Sequence, residues 1–198
     1  VAESTSGVVL ASGSPRRREL LTSIGVDFRV VVPNIDESRR EGESPVSYVW
    51  RLAGEKARAV PSTDELIIAA DTTVDLDGEV LGKPVDADDA VSMLRRLSGS
   101  THRVHTGVAV RVGDRVSVDV ASAAVTFASL DEALIDWYVS TGEPFDKAGG
   151  YALQGSGAVL VDRVDGNVSC IIGLPLGLTV RLAAALGRSL LAPPPNIA

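Results

Sequence analysis

Ser12-Gly13-Ser14-Pro15-Arg16-Arg17-Arg18 sets two hydroxyls, a helix-starting Ser-Pro pair and three guanidinium groups side by side, which is the chemistry of anion binding. Ser14 suits the N-cap and Pro15 the first helical position. A helix start with no ligand favours Asp or Glu in its first turn, because its free N–H groups make that end positive. Arginines there fit an anion held jointly by N–H groups, serine hydroxyls and guanidinium forks. A solvated basic face is the plainer alternative; the strand, small-residue loop and cap ahead of the arginines favour the anion.

Three further residues could share a site with it. On a helical wheel Lys56 falls among Val46, Val49, Leu52, Ala53 and Val60, inside the apolar arc. Such a lysine either snorkels to solvent or aims its ammonium at something buried and negative. Asp71 ends the run Leu66-Ile67-Ile68-Ala69-Ala70, a place where α/β enzymes hold catalytic groups and metal ligands. Val74 and Leu76 suggest that the strand continues, and a carboxylate inside a strand is costly without partners. Lys83, in Leu81-Gly82-Lys83-Pro84, glances at a P-loop ending, but Gly78 is one residue too close and proline replaces the Ser or Thr that would hold magnesium. It remains a candidate phosphate ligand just after a hairpin.

Two features are weaker. His102 and His105 lie three apart in an alternating segment, hence on opposite faces of a strand and unsuited to one metal. Gln154 sits in a glycine-flanked loop, and its amide, both donor and acceptor, suits a uracil or thymine edge.

The elements that must position these groups follow from periodicity and punctuation. Strands are expected at 7–11, 28–32 and from 66 past Asp71, with an Asp77-Gly78 turn. Segment 101–127 alternates strongly and breaks at Gly113-Asp114, as a long hairpin does. Further strands are expected at 159–164 and 168–172 around Asp165-Gly166. Helices are expected from Ser14 to Gly25, from Ser44-Pro45 to about Val60, over 87–97 behind Asp86, over 131–139, and from Pro175 to Gly187. Hairpins mixed with irregular α/β alternation predict one α/β domain over 1–198, with a mixed sheet flanked by helices. Residues 191–198, rich in proline, read as a loose tail.

Composition narrows the function. One cysteine, Cys170, rules out a disulfide framework and a Cys-based zinc site. No charged-then-apolar leader and no apolar run near 18 residues are present, so a cytoplasmic protein off the membrane is expected. A net charge of -7 and only 4% aromatic residues argue against nucleic-acid binding. Neither argues against a small polyanion, since a cleft can be locally positive and a metal adds charge of its own.

Taken in order, LASGSPRRRELL, DES around Glu37, RLAGEKARAV, AADTTV, LGKP, MLRRLSGSTHRVHTGVAV, EPFDKAGGYALQG and VDGNVSCIIGLPL resemble the Maf family of nucleotide pyrophosphatases, the septum-formation protein family. The resemblance runs from about Val8 to Leu186. It implies a two-lobed Maf/ITPase-like α/β fold, with a mixed twisted sheet and a deep cleft. It also implies dependence on a divalent metal, magnesium or manganese, and hydrolysis between the α- and β-phosphates. By the same resemblance Asp71 is the general base and shares the metal with Glu37. Ser12, Ser14, Arg17, Lys56 and Lys83 line the phosphate path, with Lys56 and Lys83 in the catalytic set beside Asp71. Arg16, Thr72 and Gln154 match the branch acting on dTTP and UTP; the branch acting on methylated GTP tends to carry Trp, Gln and Glu there. Gly150 departs from the family's frequent alanine.

The expected reaction is in-line attack of water on the α-phosphorus of a pyrimidine nucleoside triphosphate. Rival readings are a nucleotide-binding regulator linked to septum formation, which would not need Asp71 and Glu37, and a nucleic-acid binder. The sequence is silent on oligomeric state, so a homodimer stays admissible.

Overall fold

The computed structural model describes residues 7–61 and 64–191. The proline-rich tail beyond Leu191 lies outside the described residues. In chain order the elements are β1 (Val8–Ala11), α1 (Pro15–Ser23), β2 (Phe28–Val30), α2 (Pro45–Ala59), β3 (Leu66–Leu76), β4 (Glu79–Leu81), α3 (Ala87–Leu97), β5 (Thr101–Val112), β6 (Arg115–Phe127), α4 (Glu132–Ser140), β7 (Val161–Asp165), α5 (Val168–Ile172) and α6 (Leu176–Ala185), with short 3-10 turns between α4 and β7.

One seven-stranded sheet runs β2-β1-β3-β5-β6-β7, with β4 on the far end of β3. The β1–β2 and β1–β3 pairs are parallel, and β3–β4, β3–β5, β5–β6 and β6–β7 are antiparallel. This is the mixed sheet expected from crossover helices in the first third and hairpins later. The β3–β4 turn is tight because Asp77 and Gly78 both take positive φ, 52° and 89°, as a type I′ hairpin requires.

Two lobes arise because the long strands serve two cores. Near its start β3 gives Ile68 and Ala70 to a core with Leu10, Val108, Leu178 and Leu182 on one face, and Ile67 and Ala69 to a core under α2 on the other. Further along, β3 and β5 give Val74 and Val104 to a separate core with Leu94, Phe127, Ile135 and Tyr138. Asp71, Thr72 and Thr73 fall between the two lobes, as do His105, Thr106 and Gly107 opposite them. The strand does not end at Asp71; it carries that carboxylate through its middle.

Three strand expectations needed correction. Residues 168–172 form α5, not a strand, and residues 156–160 form a 3-10 turn before β7. A short apolar run is ambiguous between strand and helix, and local polar chemistry decides this one. The Asn167 side chain accepts from the Cys170 N–H at 3.2 Å, as an N-cap does, and Gly173, at φ 123°, stops the helix. The second strand is also shorter than expected, ending at Val30.

Candidate active site

Ten residues singled out from the sequence line one cleft of about 660 Å³ between the lobes: Ser12, Ser14, Arg16, Arg17, Glu37, Lys56, Asp71, Thr72, Lys83 and Gln154; Arg18, the third arginine at the start of α1, is exposed and lies outside that lining. That volume is in the range of small-molecule sites.

The phosphate-like corner is built where β1 runs into α1. Ser12 is buried, and its Oγ accepts from Ser14 N at 3.2 Å and from Arg17 Nη1 at 3.0 Å. Arg17 also donates through Nε to the Gly173 carbonyl at 2.8 Å and through Nη2 to Thr72 Oγ1 at 3.1 Å. Its fork is thus fixed by the loop between β1 and α1, by β3 and by the end of α5 together. Ser14 holds the N-cap position, but its hydroxyl makes no cap hydrogen bond, whereas Ser44, Asp86 and Asp131 cap α2, α3 and α4. The first turn of α1 therefore keeps N–H groups with no side-chain cap, beside the cleft that Arg16 and Arg17 line.

The second corner is acidic and basic at once. At Gly107, opposite Asp71, a Cβ would meet the Val49 carbonyl at 2.2 Å, so α2 lies directly on the sheet. That close approach lets Lys56, about two turns further along α2, reach Asp71: Nζ to Oδ1 is 2.6 Å. Of the two outcomes open to Lys56, burial beside a negative group is the one realised. Its Nζ also meets Glu37 Oε2 at 3.0 Å. Glu37 arrives on the 33–43 segment, which α2 ties down. Tyr48 Oη donates to the Glu37 carbonyl at 2.9 Å, and Arg51 donates to the Ser38 carbonyl at 3.0 Å while chelating Glu43. Hydrogen bonding from Arg51 holds the Glu43 carboxyl down at about 2.

Burial pushes the Asp71 carboxyl above the ordinary aspartate range, against the opposing pull of Lys56 and Arg17. A carboxylate moved in that direction is a better proton acceptor, which is how burial makes a catalytic base.

The far wall belongs to the second lobe. Lys83 follows β4 and lines the cleft with an exposed side chain. Gln154 is exposed on its loop, and no hydrogen bond holds its amide among the described residues. Arg16 reaches across to Asp146, Nη1 to Oδ2 3.4 Å.

Several cleft residues escaped the reading of the sequence. Lys147 donates to the Glu143 carbonyl at 2.7 Å and pairs with Asp146, placing another cation on the wall. Its only signal was its place before the Ala148-Gly149-Gly150 loop. Tyr48, Tyr151 and the Gly173 carbonyl had no sequence signal of their own. His102 and His105 do face apart: His102 meets Tyr151 Oη at 2.7 Å, and His105 lies between Ser122 and Asp75. Among the described residues no group of three or more His, Cys, Asp or Glu side chains is placed to hold a metal.

The family model described as Maf-like protein matches residues 7–186. The dTTP/UTP pyrophosphatase of Anaeromyxobacter dehalogenans is 54% identical over 184 residues, 91% of this chain and 94% of that protein. The dTTP/UTP pyrophosphatase of Myxococcus xanthus is 50% identical over 185 residues, covering 92% and 94%. A solved structure of the Staphylococcus aureus Ham1 protein aligns with a TM-score of 0.48 at 15% identity, covering 91% of this chain and 98% of that one.

Proposed function

The chain belongs to the Maf-like protein family, and on that premise we propose that it hydrolyses dTTP, UTP or a modified pyrimidine triphosphate to the monophosphate and pyrophosphate. One observation carries the reading: a buried carboxylate paired with a lysine, Asp71 with Lys56, opens into the same cleft as the uncapped, arginine-bearing start of α1. The reaction needs a water activated near a phosphorus and cations to take up charge as the anhydride breaks.

Asp71 takes a proton from the attacking water, helped by the burial that raises its affinity for one. Lys56 orients that carboxylate. Ser12, Ser14, Arg17 and Lys83 bind the phosphate chain and offset the negative charge that gathers on the departing pyrophosphate. Arg16 and Thr72 line the same cleft as substrate-binding residues, and Gln154 reads the base edge with one donor and one acceptor.

Asp71 and Glu37 are the residues that would hold magnesium or manganese. They fit such an ion because Lys56 Nζ draws both carboxylates together through one oxygen each, Asp71 Oδ1 at 2.6 Å and Glu37 Oε2 at 3.0 Å, which leaves the second oxygen of each for a metal. Magnesium is commonly held by one or two carboxylates together with substrate phosphates, without an all-protein cage. When bound, such an ion supplies charge neutralisation at the phosphates and acidifies water.

No helix among the described residues is long and apolar enough to cross a membrane. The reading places the enzyme in the cytoplasm, acting on free nucleotides and not on nucleic acid, and admits a homodimer. Pyrophosphate release from a panel of ordinary and modified triphosphates, with magnesium or manganese, is the test. Release confined to pyrimidine triphosphates is expected. Nucleotide binding without release would reject the enzyme and leave a regulator.

A further inference from the structure

Gln154 hangs from an arc of chain, residues 152–157, that is fastened at each end by one of two linked side chains. Ahead of it, Ala152 N donates to Tyr138 Oη at 3.2 Å. Behind it, Ser156 N donates to Glu143 Oε2 at 2.9 Å and Gly157 N to Glu143 Oε1 at 3.0 Å. Tyr138 Oη donates to Glu143 Oε1 at 3.0 Å, so the two anchors are joined. Partial burial would push the Glu143 carboxyl up, but these N–H groups and the phenol hold it below the ordinary range, as an ionised acceptor.

The arc closes tightly on this pair. A Cβ at Gly157 would meet the Ala152 carbonyl at 2.3 Å and Tyr138 Oη at 2.8 Å. Gly155 takes φ +96°, and a Cβ there would meet Glu143 Oε2 at 2.7 Å. Only glycine fits either place, so small residues together with the buried Tyr138 and the half-buried Glu143 fold the arc. Tyr138 is fully buried on α4 within the second lobe's core, and neither it nor Glu143 lines the cleft.

We propose that Tyr138 and Glu143 are positioning residues for base selection, holding the 152–157 arc so that the Gln154 amide meets a pyrimidine edge from one fixed place. The proposal rests on the pyrophosphatase reading with Gln154 as base reader. Uracil and thymine offer a ring N–H donor beside a carbonyl acceptor; cytosine offers an acceptor beside an amino donor. A glutamine on a loose loop can shift and turn to suit both. Held by its backbone on either side, the amide meets the base from one place and has only its own rotation left to suit the other edge, and a fixed place of approach is the general requirement for a selective site.

The experiment compares wild type, Glu143→Gln, Tyr138→Phe, Gln154→Ala and the double variant Glu143→Gln/Gln154→Ala. Pyrophosphate release gives kcat and KM for UTP and for CTP. Expected is a fall of about tenfold or more in the UTP-over-CTP ratio of kcat/KM for each anchor variant. The fall should appear mainly in KM for UTP, and the double variant should be no less selective than Gln154→Ala alone. An unchanged ratio, an equal loss for both nucleotides, or losses that add in the double variant would overturn the proposal. If Glu143→Gln does not fold, Tyr138→Phe carries the test, since it removes only the hydroxyl shared by Ala152 and Glu143. Calorimetric titration of the same proteins with UMP and CMP reads base preference without turnover. A wild type that prefers UMP but releases no pyrophosphate would sink the enzyme reading while leaving the anchors testable.

Discussion

Thr72 Oγ1 lies 2.9 Å from Thr106 Oγ1, and the direction of that hydrogen bond is forced. Thr106 donates its only hydroxyl proton to the Cys170 carbonyl at 2.8 Å, so Thr72 must donate to Thr106. Thr72 is left as an acceptor for Arg17 Nη2. The order of donors runs from Arg17 through two strands to the carbonyl of α5, and the fully buried Thr106 sets where Arg17 points.

Thr106→Val keeps the shape and removes the relay. The Cys170 carbonyl loses its hydroxyl donor and Thr72 its acceptor, at a cost of about 1–3 kcal/mol in urea unfolding. Triphosphate KM should rise by about tenfold, the effect of misplacing one charged hydrogen bond. Thr106→Ser should restore both. Unchanged KM in a Thr106→Val protein that folds would show that Arg17 does not depend on the relay.

His102 makes a pH prediction about stability. Burial lowers its value from 6.5 to about 4, and its Nδ1 is buried with no hydrogen-bond partner. As pH falls, the unfolded chain takes up the proton first, so stability is whole above 6.5 and drains away towards 4. The loss approaches about 3 kcal/mol at the foot of that window. Urea midpoints of wild type should therefore drop between about pH 7 and 5. Those of His102→Gln should drop less steeply over the same range. Parallel curves would remove His102 as the cause.

Asp71→Asn tests the assigned base. Asparagine fills the same space but takes no proton, so turnover should fall by about 10²- to 10⁴-fold. Triphosphate affinity, measured by calorimetry, should stay within a few-fold because the cationic wall is untouched. Near-normal turnover would reject Asp71 as the base.

How much of this could be read in advance depends on whether a residue violated an expectation of its local structure. Asp71 in an apolar strand, Lys56 on an apolar helical arc and arginines in a first turn all break a local rule. Each could be found without coordinates, and Asp71, Lys56, Arg16 and Arg17 line the cleft. Thr106 and Tyr138 break none: a strand threonine and a helical tyrosine look like ordinary structure, and their roles lie in partners remote along the chain. Gly173 acts through its carbonyl, which every residue has. Residues 168–172 were misread because an apolar stretch of that length has no period of its own; the Asn167 cap decided it.

Lys56 and Asp71 form a buried ion pair, each side chain 9% exposed. The pair has little net worth for folding, since taking both charges from water offsets their attraction; breaking it strands one charge. Lys56→Met should cost about 3–5 kcal/mol in urea unfolding. The double variant Lys56→Met/Asp71→Asn should regain most of that, because the one charge then left without its partner is Glu37, which is half exposed and solvated. A second effect concerns catalysis. Lys56 opposes the burial that raises Asp71, so its removal moves Asp71 further up. The ionised base then survives only at higher pH, and the acid limb of the pH–rate profile should shift upward in Lys56→Met. A loss in stability below about 1 kcal/mol, the size of a solvent-exposed pair, together with an unmoved acid limb, would mean that the ammonium neither balances nor tunes the carboxylate.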